Sequence, residues 1–438
     1  VPDSNLDKMR AELLHGLDVA KKQGAQGAKL SFSRGEAIGC SFSAGRLKDT
    51  EVRRSSAYVI EVLVEGKRGT TAGNDPADLP EMISRAISLA RVGSPAHFSA
   101  YPAPAETKKV KKYSGKTVKI TREGLIENCR KMVDALKRYN PDLFIEAQGS
   151  RSVSEGLLVT SGGVSHRFED TAWSLGSLAQ KTEGTDMLFV GHGHSFREVN
   201  DFYNPDLITE RLLFDLKHGE KIVESPEGKL PAFLPPEVLG MFLWPLVLGV
   251  NGRNVAKGDS PLRGRLGEQI FDPGLTIRDD PHWDFSPGAA EIDGDGIPTR
   301  VMMMVEKGVL KNFLYDLDSA GMAGAEPTGN RGCMPYSPEV LPGAEKSGDL
   351  LASIDDGIFI RELIGYGQSN MINGDFSGNV ALGFRIKKGK IIGRVKNTMI
   401  AGNIYDLFKK DVALSSDRDP MLRLPSAVVQ GLSVSTSK

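Results

Sequence analysis

Cysteine is scarce: 438 residues hold three, Cys40, Cys129 and Cys333, far apart in the chain. They make no C-x-x-C pair and no zinc-ribbon spacing, and an odd, sparse count fits a reducing compartment. Long apolar runs are absent too. The longest, Val238 to Val250, has thirteen residues with Pro245 inside it, whereas a bilayer span needs about 20. Excess charge is also missing: 55 Lys and Arg against 56 Asp and Glu leave a net charge of −1. Such a balance supplies no global field for nucleic acid or an anionic membrane. Val1-Pro2-Asp3-Ser4 has no basic stretch followed by an apolar one, so no signal peptide is expected and the expected location is the cytoplasm.

Several catalytic signatures are absent as well. No histidine is followed by glutamate, which removes an H-E-x-x-H zinc helix. Gly374-Asp375-Phe376-Ser377-Gly378 has its serine one place late for a nucleophile elbow. Gly115-Lys116-Thr117 has Val110 where a phosphate loop needs its first glycine. Gly365-Tyr366-Gly367 is followed by Asn370 where a dinucleotide fingerprint has glycine. Asp293-Gly294-Asp295-Gly296 opens like a calcium loop, but Ile297 takes the third ligand position, so it reads as a turn. His192-Gly193-His194 is the best remaining metal candidate, because residues two apart on a strand face one side. Two ligands are too few for a tight site, and an exposed polar hairpin is the plainer reading. His166, His218 and His282 are candidate additions that nothing in the sequence brings there.

Glycine, by contrast, is abundant at 49 residues and favours turns and strands over a helical bundle. Asp3 or Ser4 can cap a helix to about Lys22, with Leu6, Met9, Leu13, Leu17 and Ala20 on one face. Short strands follow at 29–32, 37–43, 56–65 and 68–71, punctuated by turns at Gly35, Gly45 and Gly66. Asp75-Pro76 opens a helix over Leu79–Val92, and Thr121 caps another to about Arg138. The span 142–183 is strand-like, with turns at Glu155-Gly156 and Gly162-Gly163. Pro205 starts a helix to about His218. Lys307-Gly308 and Lys388-Gly389 are hairpin turns, and Asp316 to Ala323 is a short helix.

The expected class is α+β. An N-terminal domain, 1–205, holds helices on a mixed sheet and includes a solvated lysine-rich connector, 101–120. A strand-rich C-terminal domain, 206–438, contains one apolar helix after Pro236 that Pro245 kinks or ends.

Four blocks in order carry a family resemblance. They are Val62-Leu63-Val64-Glu65-Gly66-Lys67-Arg68-Gly69-Thr70-Thr71; Leu157-Leu158-Val159-Thr160-Ser161-Gly162-Gly163; Pro235 to Gly240 followed by Ser260 to Leu275; and Glu362 to Gly367 with Gly374 to Gly378 and Ala401-Gly402-Asn403. Each motif is weak alone, but their order and spacing make the chain resemble the TldD/PmbA family, long described as modulators of DNA gyrase. The resemblance implies a peptide-processing complex in which a TldD-type subunit holds zinc through H-E-x-x-x-H and a cysteine near the C-terminus. A PmbA/TldE-type subunit lacks this motif and pairs with it.

By motif position, Pro236 stands at the first histidine, Glu237 at the general base and Met241 at the second histidine. Met421 to Ser426 covers the place of the ligand cysteine and contains none. Proline offers no ligand atom, thioether is a poor zinc ligand, and Glu237 has no metal-bound water to deprotonate. Glu237 then reads as a first-turn acid that suits the helix dipole.

The resemblance therefore implies a metal-free, non-catalytic subunit of a heterodimeric metallopeptidase, with zinc in a TldD-type partner and a peptide substrate held extended between protomers. Asn373, Gly374, Asp375, Phe376 and Ser377 are the candidate cleft residues, because Gly374 and Gly378 permit close backbone approach. Two alternatives stand beside this reading. One is a stand-alone homodimeric binding protein. The other is a divergent metal-independent enzyme acting on a peptide-like or natural-product amide, with Glu237, Asp375, Tyr366 and Cys333 as groups to test.

Overall fold

The structure, a computed structural model, describes residues 4–436. The N-terminal half starts with helix α1 (Ser4–Lys22); Asp3 and the side chain of Ser4, the candidate caps, lie outside the described residues. Strands β1 (Gly27–Ser43), β2 (Arg46–Val64) and β3 (Lys67–Gly73) follow, then α2 (Leu79–Val92), α3 (Gly115–Val118) and α4 (Arg122–Tyr139). Strands β4 (Phe144–Thr160), β5 (Ser165–Glu183) and β6 (Asp186–Phe196) lead into α5 (Pro205–Gly219). The six strands pair in the order β3-β2-β1-β4-β5-β6.

Two of the hairpins turn on pairs with positive φ at both positions, Ala44 (49°) with Gly45 (74°) and Glu65 (51°) with Gly66 (70°). That is the turn geometry whose twist matches paired strands. Tight hairpins make the β1–β2, β2–β3, β4–β5 and β5–β6 pairs antiparallel, and the long-range β1–β4 pair is antiparallel too, so the sheet is antiparallel rather than mixed. The expected turns at Gly35 and Glu155-Gly156 are corrected as well: both lie inside unbroken strands. Gly156 is small because of packing. A Cβ there would lie 2.3 Å from the Phe168 ring and 2.5 Å from the Phe32 carbonyl oxygen.

Helices cover one face of this sheet at its two ends. Leu30, Phe32, Tyr58, Ile60, Leu157 and Val159 pack under α1 and α2. Ile38, Cys40, Phe42, Ile145, Trp173 and Leu175 pack under α4 and α5. Thr121 caps α4 by accepting from Gly124 N, and Asn204 caps α5 by accepting from Asp206 N.

In the C-terminal half, β7 (Gly228–Leu234) precedes α6 (Pro236–Phe242), α7 (Trp244–Gly249) and α8 (Gly252–Lys257). A small sheet holds β8 (Ile277–Asp279), β9 (Met302–Glu306), β10 (Val309–Leu310) and β11 (Pro338–Val340), with α9 (Leu317–Ala323) after the hairpin and α10 (Ser347–Ala352) beyond it. The remaining elements are β12 (Asp356–Ile364), β13 (Asp375–Lys387), β14 (Lys390–Arg394), β15 (Thr398–Asn403), α11 (Ile404–Leu407), β16 (Ala413–Arg418) and β17 (Pro425–Thr436).

Strand β12 pairs with β7 on one side and β13 on the other, so β12-β7-β17-β15-β13 closes into a barrel; β14 and β16 are added outside the ring. Closure leaves no long exposed edge. The β7–β12 pair is parallel. The expected apolar helix is split in two around Leu243, because Pro245 has no N–H for the ladder. The expected division at 205–206 falls at the start of α5. Its Ile208, Leu212 and Leu216 share one core with Trp173 of the sheet and with Phe359, Phe384 and Val428 of the barrel strands. Among the described residues, no helix is long and apolar enough to cross a membrane.

Candidate functional site

The segment Pro236 to Met241 is the start of α6. Pro235 holds the extended N-cap position and Pro236 the first turn, where a missing N–H costs nothing. Val238, Leu239 and Phe242 turn into the barrel core, and Met241 packs against it. The tail reaches the same helix: a Cβ on Gly240 would sit 3.0 Å from Leu424 Cδ1. An apolar side chain from the tail therefore lies beside the helix where the resemblance implies a cysteine. Neither Pro236, Met241 nor Leu424 offers a zinc ligand of the required kind, so these residues do not fit the family's metal.

Glu237 points the other way, into a charged seam between α5, β6 and β12. Arg211 Nη2 donates to Glu237 Oε1 at 3.1 Å, and Arg211 Nε lies 3.8 Å from Asp215 Oδ2. Arg361 Nε donates to Asp215 Oδ1 at 2.9 Å. The Asp215 side chain is 2% exposed and that of Arg361 10%. Burial dominates at both: it holds the Asp215 carboxyl above its usual range and lowers the Arg361 guanidinium to about 10. Burial also pushes Glu237 upward, but Arg211, its own backbone N–H, Arg361 and His192 together hold it below the usual range. Its Oε2 is buried and accepts no hydrogen bond.

The strand pair His192 and His194 stands at this seam. The two Nε2 atoms are 3.1 Å apart, and His194 Nδ1 lies 3.1 Å from the Phe202 carbonyl oxygen. A carbonyl only accepts, so His194 Nδ1 carries the proton and its Nε2 accepts from His192 Nε2–H. Burial lowers His192 to about 4, reinforced by the Arg211 charge. His192 is thus neutral at pH 7 and bonded to His194. No third histidine joins it. His166 faces Glu291, the His218 Nδ1 bonds the Phe214 carbonyl, and His282 bonds Thr299. Among the described residues no three His, Cys, Asp or Glu side chains converge to hold an ion.

The late candidates sit elsewhere on the same barrel core. Gly374 has φ +87°, and a Cβ there would meet the Tyr405 ring at 2.6 Å. Phe376 is core, 5.0 Å from Phe242 and stacked on Tyr366 at 5.5 Å. Asn403 Nδ2 bonds both the Asn373 carbonyl and Asp375 Oδ1, and Ser377 Oγ bonds Ser369 Oγ. One edge of Asp375–Asn379 is taken by β15. Asn373 and Asp375 are exposed. Phe242, at the end of α6, joins this segment to the helix, while Glu237 at its start faces Arg211 instead. Cys333 is fully buried and bonded to Ser319 Oγ at 3.0 Å, and burial raises its thiol. The Tyr366 hydroxyl is buried without a partner.

Arg211, Asp215 and Arg361 escaped the sequence reading. The four-residue spacing of Arg211 and Asp215 on α5 was a readable signal for one pair, but nothing local pointed to Arg361.

Comparison with known proteins now decides the family. Residues 227–436 match the PmbA/TldA metallopeptidase C-terminal domain, and residues 28–90 match PmbA/TldA metallopeptidase domain 1. The chain belongs to the PmbA/TldD family. An uncharacterized protein of Methanocaldococcus jannaschii is 30% identical over 316 residues, covering 70% of this chain and 73% of that protein. The metalloprotease of Methanothermobacter thermautotrophicus is 27% identical over 85% of this chain and 84% of its own. Metalloprotease PmbA of Escherichia coli O157:H7 is 24% identical over 90% and 88%. The fold is that of TldE from Thermococcus kodakarensis, with a TM-score of 0.88 at 21% identity over 97% of this chain and 100% of that one.

Proposed function

We propose that this chain is a metal-free, non-catalytic PmbA/TldE-like subunit of a two-chain metallopeptidase of the cytoplasm. A TldD-type partner supplies zinc, its ligands and the general base. This chain supplies part of the wall around an extended peptide or unfolded segment. The observation that carries the reading is α6 itself. Its two motif positions hold Pro236 and Met241, Leu424 fills the side where the tail approaches, and Glu237 is tied to Arg211. A glutamate bound to a guanidinium is a carboxylate in a structural pair, not a base poised over a metal-bound water.

The test is recovery of the tagged chain from its own cell extract, with metal analysis of what elutes. The expected result is a second, zinc-bearing chain of similar size, with peptidase activity on mixing and none in this chain alone. Stoichiometric zinc in the isolated chain would overturn the reading. A metal-free homodimer as the sole species would replace it with the stand-alone binding protein.

A further inference from the structure

The two helical layers on the N-terminal sheet do not meet. Along β1, the core residues Leu30 and Phe32 belong to the α1/α2 layer, and Ile38, Cys40 and Phe42 to the α4 layer. Arg34 and Glu36 have the same parity and lie between the layers. The pattern repeats on β4, where Arg151, Val153 and Glu155 separate Ala147 from Leu157. The gap is a groove of about 820 Å³, walled in part by Tyr113 and Val118. Binding sites for small ligands and short segments span about 300–1,000 Å³.

The charges in this groove are not closed. Arg34 pairs with Glu155, and Arg167 Nη2 with Glu169 at 2.6 Å. Glu36 serves two guanidiniums: Arg54 Nε at 3.0 Å and Arg151 Nη1 at 3.6 Å. Beside the Arg167–Glu169 pair, the lining holds three arginines, Arg34, Arg54 and Arg151, and two glutamates, Glu36 and Glu155. The Arg151 side chain is 12% exposed, and its Nε is buried with no hydrogen-bond partner. A guanidinium fork recognises a carboxylate through two parallel bonds, and here one such acceptor is missing. Beside it, Tyr113 is 44% exposed and offers an apolar face. The floor crosses β2, β1, β4 and β5. Four strands at the usual spacing span roughly 14 Å, the length of about four extended residues.

We propose that this groove binds a short extended peptide segment, with the side-chain carboxylate of an aspartate or glutamate on Arg151 and a neighbouring apolar side chain on Tyr113. The segment lies across the strands, so recognition is by side chains rather than by strand addition. The site is separate from α6, and its occupation is a property of this chain alone, so it does not rest on the silent-subunit reading.

The test uses the full chain without a partner and fluorescence anisotropy of a fluorescein-tagged Ala-Leu-Glu-Phe-Ala peptide blocked at both ends. Two further peptides replace Glu by Gln, one blocked and one with a free C-terminal carboxylate. The expected result is binding that weakens with salt, and about a tenfold loss for the blocked Gln peptide, the value of a charge-assisted hydrogen bond. Arg151→Gln should cost the Glu peptide a similar factor and leave the Gln peptide unchanged, which general damage to the fold would not do. Tyr113→Ala, at an exposed position, is the second variant and should weaken both peptides. Equal binding of the blocked Glu and Gln peptides overturns the proposal, as does undiminished binding to Arg151→Gln. Full recovery of affinity by the free C-terminus of the Gln peptide also overturns it, because the carboxylate would then be a chain end.

Discussion

The seam at Glu237 and the groove at Arg151 both place guanidiniums and carboxylates on the helix-facing side of the N-terminal sheet, yet they balance differently. In the seam, Arg211 and Arg361 meet Asp215 and Glu237, two charges against two. Its unmet buried atoms are one donor, Arg211 Nε, and one acceptor, Glu237 Oε2, on residues already bonded to each other. In the groove, beside the Arg167–Glu169 pair, three guanidiniums meet two carboxylates, and the unmet buried atoms, Arg34 Nη2 and Arg151 Nε, are both donors. A cluster that satisfies itself ties elements together; one left a carboxylate short is built to receive something. The relic of a metal motif therefore lies in the closed cluster.

The largest effect that sharpens this contrast is in the seam. Arg361→Ala leaves Asp215, 2% exposed, without its best partner. The expected loss is about 3–5 kcal/mol, the range for breaking a buried pair from one side. Urea unfolding should show a lower midpoint with an unchanged slope. Removing both partners, as Asp215→Asn with Arg361→Met, should cost less than the single change. A loss under about 1 kcal/mol for Arg361→Ala, as at a surface pair, would erase the distinction between the clusters.

A pH series probes the same seam through His192. Its folded value of about 4 lies below the ordinary 6.5. Above pH 6.5 both folded and unfolded chains carry it neutral, and its contribution is complete. Between 6.5 and about 4 only the unfolded chain takes the proton, so stability falls by up to about 3 kcal/mol. Asp279 and Asp293 act with the opposite sign. Burial raises both to about 6 in the folded chain, so as pH falls through 6 they favour the folded state. His192→Gln removes the first effect and keeps the second. Its stability should therefore decline less than the parent's from pH 6.5 to 4, or rise. Parallel pH curves for the two proteins would show that His192 is not held neutral by its surroundings.

Much of the fold was written locally. The α4 face of Leu125, Cys129, Met132 and Leu136 and the turns at Gly45, Gly66 and Lys388-Gly389 are short-range signals, and they lie where the sequence puts them. Gly35 and Gly156 misled because a glycine in a strand can mark either a turn or a close approach, and only the neighbours across the sheet decide. The site was half legible. Pro236 and Met241 announce the loss of ligands, whereas the bonding of Glu237 to Arg211 and the approach of Leu424 to Gly240 join residues far apart in the chain. The groove was illegible, since Arg34, Arg54, Arg151 and Arg167 become neighbours only through strand register.

A smaller effect is expected at Glu237 itself. Its side chain is 35% exposed, so Glu237→Gln should cost about 1 kcal/mol or less in a urea titration. If the chain works as a silent subunit, the mixed complex should keep its peptidase activity with this variant, because the carboxylate's partners, Arg211 foremost, all belong to this chain. Abolished activity in a complex that still assembles would instead make Glu237 a working acid or base.

The smallest stability change is expected at Arg151, where the two clusters part most sharply. Arg151→Gln removes a guanidinium whose nearest carboxylate, on Glu36, keeps Arg54 as its partner. The buried Nε had no acceptor to lose. The melting curve should therefore move little, by less than about 1 kcal/mol, or even upward once an unmet donor has gone. Set against a loss several times larger at Arg361, that outcome separates a charge kept for the fold from a charge kept for a ligand. A loss at Arg151 as large as that at Arg361 would mean the groove, too, is held together by its own charges.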